Sequence, residues 1–435
     1  MPFPLSGRSP VLLLALLFAG PVHVRAQVPD TVRVHDLPTL LAVVRAENPA
    51  LRAARLQAEA LGTRRDQVAA LPDPMVMFTY QPFPVLTARG TQRTQLRLEQ
   101  SIPFPGKLGL GGEVAGLGAE VAGYEADALA QDLAFQVKEA YYELYRLQRQ
   151  EALLRAFQDR LRDYEAVAAT RYAVGEGMQQ AILKAQLERN TLDQRLLDLA
   201  RQRRTALEAL SRLLDRPVAL DTLPALSLPA LPSLPDETLV QVARRARPEA
   251  AALDADLERA RAEIALARRD FLPDFGLSLT YFDIAAADMP PTATGRDALA
   301  LGVSVKVPLQ RGRLRARLEE ARLRQHRVEA RREALEASFR TTIADLRSRL
   351  ERERDQLDLY RDVLLPQAEA TLEATLSAYT TGRTGFLDLL DAERVLFTLQ
   401  TGYEDAYARY LQAAAALERA LGLDRLADLD ESLFR

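Results

Sequence analysis

The chain has 435 residues, with 57 Lys and Arg against 60 Asp and Glu, three His and no Cys, for a formal net charge of −3. Without cysteine there are no disulfides, no thiolate catalysis, no cysteine-ligated metal and no lipidated N-terminal cysteine. The slightly acidic balance argues against a nucleic-acid partner, and so few histidines argue against a His-rich metal site or a Ser/His/Asp triad.

Residues 1–26 read as an export leader. Arg8 supplies a positive start, an apolar run covers 11–19, and Val24-Arg25-Ala26 places small residues around a cleavage point before Gln27. Loss of Arg8 and Arg25 with the leader takes the net charge to −5. The apolar run is too short to span a bilayer, which takes about 20 residues, and no later stretch is longer. Residence in a membrane would therefore require a closed β-barrel, the other structure that satisfies its backbone groups in lipid.

The remainder is one plan written twice. A helical stretch holding Asn48-Pro49 leads to Leu71-Pro72-Asp73, and one holding Arg247-Pro248 leads to Leu272-Pro273-Asp274. Two strands follow each, the second ending at Ile102-Pro103-Phe104-Pro105-Gly106-Lys107 or at Val307-Pro308-Leu309-Gln310-Arg311-Gly312-Arg313. A very long helix comes next, closed by Tyr172-Ala173-Val174-Gly175 or Tyr379-Thr380-Thr381-Gly382, and one more helix completes each half. The expected division is a leader at 1–26, a first repeat at 27–215, a linker at 216–235, a second repeat at 236–423 and a tail at 424–435. The linker holds five prolines, which block helix and sheet alike, so it should run extended.

The strands alternate apolar and polar residues. Leu299, Leu301, Val303, Val305 and Val307 point one way, and Ala298, Ala300, Gly302, Ser304 and Lys306 the other. Leu96, Leu98 and Ile102 alternate with Arg97, Glu99 and Ser101, and Phe275, Leu277, Leu279 and Tyr281 repeat the pattern. Segments of about ten such residues fit a barrel wall with lipid on one side and water on the other. Loops are expected at 82–90 and 284–296. Four strands cannot close a barrel, so several chains must contribute; three would bring twelve.

The long helices at 107–174 and 313–381 would each reach on the order of 100 Å, with a kink expected at Pro366. Their surfaces offer i,i+4 pairs such as Arg315–Glu319 and Glu320–Arg324, so the basic run at 311–332 reads as a solvated helix face. Gly109, Gly111, Gly116 and Gly118 faintly echo a dinucleotide loop, but their spacing better suits close helix packing. Gly175 and Gly382 suit left-handed helix ends, and Thr384 suits an N-cap for the helix that follows.

Over nearly its whole length the chain resembles the TolC-type outer-membrane efflux protein family. The likeness rests on the duplicated plan and on Tyr379-Thr-Thr-Gly382-Arg-Thr-Gly-Phe-Leu-Asp388-Leu-Leu-Asp391-Ala-Glu393. The Pro72-Asp73-Pro74 and 102–108 motifs look more like the heavy-metal-efflux branch than the multidrug branch. The resemblance implies a mainly helical α-barrel joined to a membrane β-barrel, built as a homotrimer in outer-membrane lipid. It also implies a periplasmic adaptor protein and an inner-membrane pump of RND type as partners, for export of small molecules or metal cations, with no cofactor, metal site or catalytic residue. A type I protein secretion duct and a periplasmic coiled-coil scaffold remain as alternatives.

By the same resemblance Asp388 and Asp391 match aperture aspartates and Tyr379 a gating tyrosine, while Gly175 and Gly382 turn the helical hairpins. Asp388 and Asp391 have a second reading as acids that favour a helix start. The family's arginine partner falls on Thr384, with Arg383 beside it, and Ala181 occupies the acidic position of the first half.

Overall fold

The computed structural model describes residues 32–288 and 291–429; the expected leader and the end of the tail lie outside them. Strand β1 (Val32–Val34) leads into helices α1 (Leu37–Glu47), α2 (Pro49–Gly62) and α3 (Arg64–Ala69). Strands β2 (Met75–Thr87) and β3 (Gly90–Ile102) form a hairpin, followed by α4 (Lys107–Ala173) and α5 (Gln179–Leu214). Strand β4 (Val218–Leu220) opens the second half, with α6 (Asp236–Ala246), α7 (Pro248–Arg269), β5 (Asp274–Ala285) and β6 (Ala298–Lys306). Helix α8 (Arg311–Leu359), a π turn at Tyr360–Leu364, α9 (Leu365–Thr380) and α10 (Phe386–Leu421) complete it.

Each Asx/Arg-Pro pair divides its helical stretch in two. Asn48 separates α1 from α2 and Arg247 separates α6 from α7, with the proline in the first turn of the new helix, where no N–H is needed. Asn48 also accepts from the Leu51 N–H at 3.1 Å and donates to the Leu213 carbonyl at 2.8 Å, fixing α2 to the end of α5. At Pro366 the helix does not simply break. The π turn immediately before it widens the backbone where a proline ring would otherwise meet the preceding turn, and α9 continues.

The sheet runs β2-β3-β5-β6, all antiparallel. Its register lines up Phe78, Leu96, Tyr281 and Leu299 in one row and Val76, Leu98, Leu279 and Leu301 in the next. These side chains are exposed, Leu301 at 86% and Val303 at 75%. The other face carries Arg97, which donates to Thr280, and Ser278 and Ser304 opposite Gly302 and Gly276. The loop expected at 82–90 is shorter than the sequence suggests. Pro82 and Pro84 sit in a bulge between Tyr80 and Val85, where ladder donors are not required, and pairing resumes up to Thr87 opposite Gly90. A Cβ on Gly90 would lie 2.2 Å from the Ala285 carbonyl oxygen, so that close approach needs glycine.

The helices repeat the strand order. Helices α2 and α3 pack on α4, α4 on α7 and α7 on α8. Toward the far end α4 lies between α5 and α10, and α10 packs on α9. Gly111 and Gly112 allow α3 onto α4, since a Cβ at Gly111 would meet Val68 at 2.8 Å. Arg317, Arg324 and Arg332 of α8 pair with Asp270, Glu263 and Asp254 of α7, so the basic face expected to be solvated is partly neutralised by its neighbour. Glu320 pairs with Arg324, whereas Glu319 pairs with Arg322 in place of the expected Arg315.

Residues 216–235 are extended but not loose. Strand β4 pairs in parallel with β1, Gln148 bonds both backbone groups of Leu223, and the hydroxyl of Tyr410 donates to the Pro229 carbonyl at 2.6 Å. Prolines remove donors, so the free carbonyls are met by side chains from α4, α8 and α10. No helix among the described residues is long and apolar enough to cross a membrane.

Candidate functional site at the helix-hairpin tips

The two long hairpins turn in the same way. Gly175 (φ +78°) and Gly382 (φ +73°) take the left-handed conformation, with no atom near the place of a Cβ, so backbone angle and not space selects glycine. The Gly175 N–H donates to Tyr172 O and the Glu176 N–H to Arg171 O; Gly382 and Arg383 repeat these bonds to Tyr379 O and Ala378 O. Both turns thus satisfy the last carbonyls of the helix that ends there.

The side chains then break the symmetry. Tyr379 is 6% exposed, with its ring edge-on to Phe386 and the Arg171 guanidinium 4.4 Å above it. The same guanidinium donates to the Tyr379 and Thr380 carbonyls at 2.9 and 3.1 Å, so a cation from the first hairpin closes the C-terminal end of α9 in the second. Tyr172, the counterpart of Tyr379, is 49% exposed.

Thr384 is not the N-cap. Gly385 holds that place, and Asp388 folds back to accept from the Gly385 N–H at 3.1 Å and from the Thr384 hydroxyl. The Thr384 bond, and then the backbone bond, hold the Asp388 carboxyl below the usual aspartate range. Asp391, one turn on, is exposed and makes no hydrogen bond or ion pair among the described residues. The tips therefore bring Tyr379, Gly382 and Asp388 around one cleft with Arg171 and Ala181, while Asp391 lies outside its lining.

Residues 239–423 match the family model described as outer membrane efflux protein. The second half of the chain is thus similar to outer membrane efflux proteins. The chain is 26% identical to the cobalt-zinc-cadmium resistance protein CzcC of Cupriavidus metallidurans, over 67% of this chain and 68% of that one. It is 25% identical to the alkaline protease secretion protein AprF of Pseudomonas aeruginosa, spanning 69% of this chain but only 63% of that relative. Crystal structures of CusC share its fold with a TM-score of 0.74 at 21% identity, covering 90% of this chain and 94% of theirs. The open state of the Neisseria gonorrhoeae MtrE outer membrane channel gives 0.73 at 22% identity, covering 92% and 94%.

The tips are also held by contacts that carry no motif in the sequence. Glu393 is fully buried, 2.9 Å from both Arg160 Nε and the Tyr164 hydroxyl on α4. Burial, and then the Glu393 charge, push the Tyr164 hydroxyl well above its ordinary pKa. Glu188 of α5 pairs with Arg394 of α10, and Glu165 of α4 with Arg189 of α5. A signal for Glu393 was available: it occupies the same helix face as Phe386, Leu389, Leu390 and Phe397, where an acid needs a buried partner. Arg171 gave none, because Ala378 stands at its counterpart position.

Proposed function

We propose that three copies form a duct through the outer membrane, a twelve-stranded barrel continued by a helical tube across the periplasm, and that the chain is a conduit and not a catalyst. One observation carries this reading: a four-stranded sheet whose two outer edges are unpaired among the described residues and whose apolar face is exposed, followed helix for strand by a layer in the same order. Unpaired edges in lipid are forbidden by the cost of orphan backbone groups, and joining β6 of one copy to β2 of the next removes them. A free periplasmic scaffold would leave the apolar face in water.

In this reading the duct receives cargo from an inner-membrane pump through a periplasmic adaptor. The likeness to the cobalt-zinc-cadmium resistance protein CzcC supports metal cations as cargo, and the family resemblance supports an RND-type pump as the partner; the likeness to AprF supports protein secretion as the second reading. The hairpin tips form the periplasmic aperture, with Asp388 and Asp391 lining it and Tyr379 acting through Arg171 to hold adjoining hairpins together. Detergent extraction followed by chemical cross-linking should give a trimer as the largest product. Monomers alone, or a barrel closed within one chain, would defeat the proposal.

A further inference from the structure

We infer that Lys184 is a charge-determining residue of the aperture, set against Asp391 in a ring of alternating sign. This rests on the reading of the tips as the periplasmic aperture and deepens it. Helices α5 and α10 start at matching distances beyond Gly175 and Gly382, with Met178 and Gly385 as their N-caps. Counted from those caps, Lys184 and Asp391 occupy the same helix position. Each is followed by a buried alanine, Ala185 or Ala392, so both helices present that position in the same rotational phase.

Packing gives the arrangement around the ring. Helix α4 lies between α5 and α10, and α10 is followed by α9, its partner in the second hairpin. Repetition of that order by copies of the chain makes α5 and α10 alternate around the tube, so Lys184 and Asp391 alternate at one level. Both side chains are exposed, and neither makes a hydrogen bond or ion pair among the described residues. Asp391 feels the field of Arg394, but that guanidinium is committed to Glu188. A lysine and an aspartate left free at equivalent places can meet one another only across the ring. The aspartate layer read from the second half alone is thus neutralised at the level of Asp391, while Asp388 keeps its charge and has Ala181, not a second acid, as its counterpart.

The test is conductance of the full chain in planar bilayers under a potassium chloride gradient, with cobalt hexammine as the blocking probe on the side of the hairpin tips. Lys184→Asp should raise cation-over-anion permeability severalfold and tighten the block. Asp391→Lys should shift the reversal potential toward anions. The double exchange, Lys184→Asp with Asp391→Lys, should return both readings to those of the parent chain. Trimeric channels in which Lys184→Asp leaves permeability ratio and block unchanged would overturn the inference while leaving the duct intact. A parent chain that forms no conducting oligomer would overturn the duct, and this inference with it.

Discussion

Glu393 and Arg171 do different work at neighbouring places. The Glu393 carboxylate is sealed from water and held by Arg160 and Tyr164, so it ties α10 to α4 through bonds shielded on the acceptor side. Its loss would leave a buried hydroxyl and a half-open guanidinium without their acceptor. Glu393→Ala is expected to cost about 2 kcal/mol, below the range for a fully buried pair because Arg160 still reaches water. Denaturant unfolding of the detergent-extracted protein measures it, and a change under half that value would mean that Arg160 finds another partner. Arg171 instead stacks on Tyr379 and caps two carbonyls at the surface of the tip. Asp388 is bound to its own helix start, so the dipole reading of that residue is met by geometry. The aperture role proposed for it is a second use of the same charge.

At the level of elements, the sheet was the most legible part of the sequence. Period-two alternation marked three of the four strands, the first being placed by the repeated plan, and the register puts the alternating residues in continuous rows. Proline misled the reading of the first loop, because a bulge lets a strand contain it. The π turn was invisible for the opposite reason: it answers Pro366 through backbone geometry that composition does not encode. Strands β1 and β4 escaped notice because three residues are too short for a pattern. The apolar face also yields a paired prediction. Val303→Arg places a charge among exposed apolar neighbours and should cost about 2–4 kcal/mol in lipid. Ser304→Arg faces the other side, opposite Gly276, from an exposed position. Membrane-extracted trimer should fall for the first and persist for the second. Equal yields would reverse the assignment of faces.

At the scale of the whole molecule, the duplicated halves are joined by ion pairs as well as by apolar packing. Arg419 of α10 reaches Asp132 on α4 and Glu249 on α7, and Arg247 also binds Glu249. Burial pushes the Glu249 carboxyl up, but the bonds from Arg247 and Arg419 outweigh it and leave it at about 2. A carboxyl depressed on folding stabilises the native state above its unfolded value near 4.5, and that advantage drains away as pH falls toward 2. At neutral pH the contribution is on the order of 3 kcal/mol. Thermal unfolding of the parent chain and of Glu249→Gln should differ clearly at pH 7, differ by less than half as much near pH 3, and converge at or below pH 2. A difference that persists in acid would locate the stabilisation elsewhere. The sequence could show the two halves, through their matched motifs, but not this joint. Asp132, Glu249 and Arg419 lie far apart in the chain and share no repeat position.

The outer edges of β2 and β6, free among the described residues, have a consequence for how such a protein comes to exist. A single copy has no stable home: its sheet is too apolar for water, and its edges are too polar for lipid. Insertion must therefore wait for encounter between copies, and the yield of finished ducts should depend steeply on how many chains are in transit together. Dilute expression would leave intermediates exposed to proteolysis, while crowded expression would risk edges joining out of register. In the proposed duct, the number of finished walls would be set as much by this collision step as by their stability.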